Sequence, residues 1–226
     1  MKKLISMMLI VLLLTLVLSG CRKEVNQLAK PKKGETIAEI VVQNYGTIKV
    51  KFFEKSAPKA VENFITHAKS GYYDGQIFYR IIEDAILESG DPTGTGTGGE
   101  SIWEKSFNDE FSEMLQPYRG ALCMANSGPN TNQSRFFIVQ ASQTYNNTVL
   151  DQIAQSYSIE FNEKARRLYG KVGGTPWFYK KNTVFGQVYK GYDVLDKIAK
   201  VKKINKEQGI PGEKVVIEKI NIKKVK

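Results

Sequence analysis

The chain has 226 residues, 42% hydrophobic and 25% charged, a balance that argues against wholesale disorder and allows one domain with a substantial core. Its net charge of +10 suits an anionic surface such as a membrane or a cell-wall polymer. The first element in chain order is a basic start, Lys2 and Lys3, followed by an apolar run from Leu4 to Leu18 broken only by Ser6 and Thr15. That run is short for a membrane span and has the length of a signal-peptide core.

Leu18-Ser19-Gly20-Cys21 follows, and small residues just before a cysteine resemble the lipobox of bacterial lipoproteins. The resemblance implies removal of residues 1–20 and a diacylglycerol on Cys21, which puts the chain on the extracytoplasmic face of the cell membrane. An uncleaved N-terminal anchor would give the same address. Nucleic acid is then not an expected partner. Cys123, in the apolar stretch Ala121–Ala125, is left without a disulfide partner and reads as a buried, inert thiol. Residues 21–35 carry five basic and two acidic residues and no apolar period, and so read as a flexible, solvated tether ahead of a domain over 36–226.

The domain begins with a hairpin, Ile37–Gln43 and Thr47–Phe53 around Asn44-Tyr45-Gly46. Ala57, Val61, Phe64, Ile65 and Ala68 recur at helical spacing, with Ser56 as N-cap, Pro58 in the first turn and Gly71 as terminator. His67 lies beside that stripe; as the sole imidazole it makes neither a triad nor a metal site and reads as structural. Strands are expected at Gln76–Ile82, Ala85–Glu88, Ala121–Ala125, Arg135–Gln140, Thr183–Tyr189 and Val215–Val225, with a second helix around Val194, Leu195, Ile198 and Ala199. Residues 142–181 interrupt this rhythm as an inserted excursion, in which Phe161, Ala165, Leu168 and Tyr169 fit a short amphipathic helix. Many short strands with two well-separated helices suggest a plugged antiparallel barrel. Between Lys197 and Lys226 ten lysines face three glutamates, which reads as a solvated strand and loop or as a surface attracted to anionic lipid or wall polymer.

Little in this pattern supports hydrolytic chemistry. Gly94–Gly99 formally matches G-x-G-x-x-G, but Asp91-Pro92 precedes it instead of a strand end, and no Lys-Ser/Thr pair completes a phosphate loop. Three segments carry a stronger signal: Phe78-Tyr79-Arg80-Ile81-Ile82, the stretch Gly90–Gly99, and Met124-Ala125-Asn126-Ser127-Gly128-Pro129-Asn130-Thr131-Asn132 running into Ser134-Arg135-Phe136-Phe137-Ile138. With Thr183-Val184-Phe185-Gly186 they resemble the cyclophilin family of peptidyl-prolyl isomerases, from about Ile37 to Val225. The resemblance implies a mainly β fold, an eight-stranded antiparallel closed barrel capped by two α-helices, working without cofactor or metal as a monomer on X-Pro segments of exported polypeptides.

It also implies the site. Arg80 matches the catalytic arginine. Phe137, with Ile86, Leu87 or Phe178 and Phe185, would form the proline pocket, and Asn126 would offer its backbone to the substrate chain beside Ala125. Strand alternation independently sets Phe78 and Arg80 on one face and Arg135 and Phe137 on another. Trp177 stands at the tryptophan associated with cyclosporin binding. Several positions depart from the family: Ala85 for an aromatic wall, Glu88 and Arg135 for two glutamines, Asn182 for a histidine, Tyr79 for a histidine, and Gln133 for a glycine. Opposite charges at Glu88 and Arg135 suggest a mutual ion pair. Two functions follow: a membrane-tethered isomerase of altered activity assisting the folding of exported proteins, or a module on the same fold that binds proline-containing segments or a partner with little turnover.

Overall fold

Alternating β-branched residues make the first hairpin: β1 (Thr36–Val42) and β2 (Gly46–Phe52) pair antiparallel from Ile37↔Lys51 to Val42↔Gly46. The computed structural model describes residues 25–226, so the expected leader, its expected cleavage point and Cys21 lie outside the described residues. Helix α1 (Pro58–Lys69) follows, with its N-cap at Ala57 and no side-chain cap from its own neighbourhood. Ser56 is therefore not the cap. The Glu110 carboxylate does that work from a distant loop, accepting from the Lys59 N–H at 3.1 Å and the Ala60 N–H at 2.9 Å.

Next come β3 (Arg80–Ile82), β4 (Ile86–Ser89), β5 (Ala121–Met124) and β6 (Phe136–Val139). The excursion supplies α2 (Asn147–Tyr157), α3 (Glu163–Val172) and a 3-10 turn, Pro176–Phe178. β7 (Val184–Lys190), α4 (Tyr192–Ala199), a small hairpin of β8 (Lys203–Asn205) and β9 (Ile210–Pro211), and β10 (Ile217–Lys224) complete the chain. The eight long-range strands form one antiparallel sheet in the order β10-β1-β2-β7-β5-β6-β4-β3, with the last strand registered on the first from Thr36↔Lys224 to Val42↔Ile217.

The expectation of a closed barrel needs correction at one seam. β3 and β10 form no ladder; the sheet is a half-barrel whose edges meet through the bridge Ile77↔Val216 and the bonds of Gly75, Phe78 and Ile217 around it. For the same reason Gln76–Tyr79, expected as strand, is mostly irregular.

β4, β5 and β6 are buried on both faces, which explains their continuous apolar runs. Leu87, Leu122, Met124, Phe136 and Ile138 face the main core, where Phe64 of α1 meets Phe136 edge-on at 5.2 Å. Ile86, Ala121, Cys123, Phe137 and Val139 face the other way into a second cluster with Phe53 and Val184. The excursion has a third cluster of its own around Tyr145, Leu150, Phe161 and fully buried Tyr169.

Residues 25–35 are not the solvated tether that their composition suggests. Val25 packs on the second cluster and Leu28 on the third. Gln27, 3% exposed, donates to the Gln116 carbonyl at 2.7 Å and to Gln187 Oε1 at 3.0 Å, and accepts from the Gln116 N–H at 2.9 Å. A charged, aperiodic stretch is thus held by long-range contacts, the packing of Val25 and Leu28 and the bonds of the Gln27 amide.

Candidate active site

Strand register builds the site. Arg80 on β3 lies opposite Glu88 on β4, Glu88 opposite Phe137 on β6, and Phe137 opposite Cys123 on β5. Directly opposite residues of an antiparallel sheet share a face with Cβ atoms ~4.5–5.5 Å apart. One row therefore carries a cation, a carboxylate and an aromatic ring. Arg80 Nη1 donates to Glu88 Oε2 at 3.4 Å, and its side chain remains 46% exposed while that of Glu88 is almost covered. Phe137 meets Phe178 of the 3-10 turn at 5.3 Å between ring centres.

These residues line a cavity of about 510 Å³ together with Ile86, Ala125, Asn126 and Asn182. Asn182 Nδ2 donates to the Met124 carbonyl at 3.0 Å, fastening the 3-10 segment to β5. The Asn126 side chain donates to Asp109 Oδ1 and to the Lys181 carbonyl, both at 3.3 Å, whereas its main-chain N–H and C=O make no hydrogen bond among the described residues. Asp109 fixes that loop further, accepting from the Asn130 N–H at 2.8 Å and from Asn132 Nδ2 at 2.7 Å.

Six expected positions stand elsewhere, among them Leu87, which faces the main core. Phe78 precedes β3 and is fully buried in the main core, as is Ile81, so the alternation assumed between Phe78 and Arg80 fails at the irregular Tyr79. Phe185 enters the main core because its neighbour Val184 faces the second cluster. Trp177 packs into the excursion, 6.4 Å from the Tyr145 ring. Arg135 is buried behind the site, donating to the Gly96 carbonyl and, at 2.7 Å, to Ser127 Oγ. Ala85 sits in the β3–β4 turn and does not line the cavity.

The Glu88–Arg135 ion pair is not formed. Glu88 is registered with Arg80 and Phe137, two positions away from Arg135, and its other oxygen accepts from Tyr79 Oη at 2.5 Å. Burial, then the Glu88 charge and hydrogen bond, raise the Tyr79 phenol far above its ordinary range, with Arg135 opposing. Tyr79 thus donates to Glu88 as a neutral phenol.

The glycine-rich stretch turns its amides on its own chain. Asp91, 1% exposed, accepts from the N–H groups of Thr93 (2.8 Å), Thr95 (3.2 Å), Gly96 (2.7 Å) and Gly98 (3.0 Å). Burial opposes its ionisation, but the Thr93 hydroxyl and these amides hold its pKa down to about 2. The anion such a loop would bind is internal. Gly90 starts the loop at φ 88°, where a Cβ would meet the Ser134 carbonyl at 2.5 Å. His67 bonds the Glu100 carbonyl through Nε2 at 3.0 Å and stacks on Tyr72, which makes it a structural residue.

A family model described as cyclophilin type peptidyl-prolyl cis-trans isomerase matches residues 37–225. The chain belongs to that family. A Staphylococcus aureus protein (strain USA300), provisionally named a peptidyl-prolyl cis-trans isomerase, is 46% identical to this cyclophilin over 196 residues, 87% of this chain and 96% of the relative. A Staphylococcus epidermidis relative named in the same way is 45% identical over the same length. Among solved structures, a Cryptosporidium parvum cyclophilin type peptidyl-prolyl cis-trans isomerase aligns with a TM-score of 0.66 at 29% identity, covering 85% of this chain and 99% of its own. A second crystal structure of it, in the presence of the dipeptide Ala-Pro, aligns at 0.65 and 30% identity over 83% and 98%. The chain is thus a cyclophilin-type isomerase in sequence and in fold.

The resemblance in the sequence led to Arg80, Ile86, Glu88, Ala125, Asn126, Phe137, Phe178 and Asn182, which the fold brings together. It missed Asp109, Phe111, Gly128, Pro129, Lys180 and Lys181, which line the same cavity. Gly128 and Pro129 lay inside the motif already quoted and could have been found there. Phe111 and the two lysines carry no local signal.

Proposed function

We propose that this cyclophilin isomerises X-Pro bonds of exported polypeptides from a lipid anchor at Cys21 on the outer face of the cytoplasmic membrane, with Arg80 as its catalytic residue. The observation that carries the catalytic part is the row Arg80–Glu88–Phe137, which sets a guanidinium beside an aromatic floor. Rotation about the X–Pro bond must break amide resonance against a barrier of ~18–20 kcal/mol. No proton need leave and no covalent bond need form.

Arg80 lowers that barrier by donating to the prolyl nitrogen as its lone pair leaves conjugation. Phe137, Ile86 and Phe178 hold the pyrrolidine ring, and the unengaged main chain of Asn126 hydrogen-bonds the substrate backbone. Glu88 aims the guanidinium, and Tyr79 shares the charge of Glu88. The apolar run ending at Leu18-Ser19-Gly20-Cys21 supports the address.

Exchange NMR on X-Pro peptides tests the catalysis. Accelerated cis–trans exchange that is lost in Arg80→Ala supports it; shift changes on peptide addition without exchange would favour a binding module. Metabolic labelling with a fatty acid tests the anchor. Labelled wild type with unlabelled Cys21→Ala is expected, and an unlabelled wild type would refute the address.

A further inference from the structure

The rim of the cavity carries charge that bond rotation does not use. Lys180 and Lys181 follow the 3-10 turn and line the same cavity as Arg80 and Phe137. An aromatic ring stands under each amine: Lys181 Nζ is 4.3 Å from the Tyr157 ring centre, and Lys180 Nζ is 5.5 Å from that of Tyr179. Among the described residues neither lysine forms an ion pair.

The two carboxylates lining the cavity are already engaged. Glu88 is held by Tyr79 and Arg80, and Asp109 by Asn126, Asn130 and Asn132. Lys180 moreover has φ 56°, a left-handed conformation in which glycine would fit with less strain. A long cationic side chain stands there at a conformational cost. Tyr157, at the end of α2, belongs to the excursion that also supplies both lysines.

We propose that Lys180 and Lys181 make this site selective for proline-containing segments bearing an Asp or Glu side chain within about three residues of the proline. The inference rests on the isomerase reading above and names its substrate class. A cavity of about 510 Å³ is roughly 10 Å across, which three extended residues span at ~3.3–3.6 Å each. A carboxylate at that distance from a ring seated on Phe137 reaches the rim amines. Two opposite charges 4 Å apart in water attract enough to change affinity roughly fivefold, and salt screens that attraction.

The test compares peptides that differ only in Glu, Gln or Lys near one Ala-Pro bond, on the full-length protein. Exchange NMR reads turnover, and shift titration reads affinity without needing turnover. At low ionic strength the Glu peptide is expected to exceed the Gln peptide roughly fivefold and the Lys peptide to fall below both, the differences flattening in about 0.5 M salt. The double variant Lys180→Gln/Lys181→Gln should bring the Glu-to-Gln ratio close to one, whereas Lys223→Gln/Lys226→Gln, on the C-terminal strand and tail, should retain it.

Equal turnover and affinity for Glu and Gln peptides on the wild type overturns the inference and leaves the isomerase reading intact. Absence of turnover on every peptide overturns the isomerase reading instead, and the titration then decides the charge preference alone. A ratio that survives the double lysine variant assigns the preference to Arg80 and overturns the role given to Lys180 and Lys181.

Discussion

Asp91→Asn should destabilise the domain at neutral pH and do so progressively less as the pH falls. The Asp91 carboxylate collects four amide N–H groups and the Thr93 hydroxyl, and its pKa falls from an ordinary 3.8 to about 2. That gap is worth roughly 2–3 kcal/mol at 1.36 kcal/mol per pKa unit. An asparagine must turn an NH2 toward either the Thr93 N–H or the three amides of Thr95, Gly96 and Gly98, leaving at least one buried donor unpaired. Because the folded pKa is depressed, the native state releases a proton that the unfolded chain still holds between about 2 and 3.8. The stabilisation is therefore complete above that window and lost as pH falls through it. Urea denaturation of both proteins at pH 7, 4 and 2 should give a deficit of roughly 2–3 kcal/mol that shrinks toward zero at the acid end. A deficit under about 0.5 kcal/mol at pH 7, the range of an inconsequential surface change, would refute the reasoning. So would a deficit that stays constant down to pH 2. Because Arg135 donates to the Gly96 carbonyl, the variant should also broaden the NMR signals of Ser127 and its loop.

Arg80→Ala should lower kcat/KM for X-Pro isomerisation on the order of 10²-fold, as removal of one transition-state donor does, while the half-exposed side chain contributes little to the urea midpoint. Gln27→Ala strands the Gln116 N–H and Gln187 Oε1, while the Gln116 carbonyl keeps the Tyr118 N–H, and should cost about 2–4 kcal/mol in the same urea assay. Burial pushes the Cys123 thiol far above its ordinary pKa, so a thiol reagent at pH 8 should modify it only at the rate of global unfolding; prompt reaction in buffer would contradict its burial. Burial lowers the His67 pKa against the opposing Glu100 carbonyl bond, so this group keeps its contribution above pH 6.5 and loses it on acidification; His67→Gln should flatten that part of the stability profile.

What was legible in the sequence is what is local. Alternation and turn residues located the first hairpin, and the stripe Val61–Phe64–Ala68 located α1. The Met124–Asn132 run, met as a family motif, led to Phe137, Asn126 and the cavity. Helix α2 was missed although Val149, Leu150, Ile153, Ala154 and Tyr157 recur at helical spacing and Asn146, which caps it by accepting from the Val149 N–H at 2.9 Å, was a usable start signal. Long-range contacts escaped: Glu110 capping α1, Gln27 anchoring the N-terminal segment, and Lys180 and Lys181 meeting the Arg80 cavity. Phe185 was misplaced because a strand buried on both faces does not show in its composition which side an aromatic takes, and Phe78 because the chain ahead of β3 is irregular and breaks the alternation.

The register of β1 on β10 has a consequence for a chain made from one end. Thr36 finds its partner Lys224 only after nearly the whole domain has been synthesised. Until then β1 can pair with β2 alone, and its outer edge stays open to strands of other chains. Pairing across so long a loop delays the return on its closure entropy and slows folding. The sheet that begins with β1 is thus expected to close there last, with an edge open to other chains in the interval.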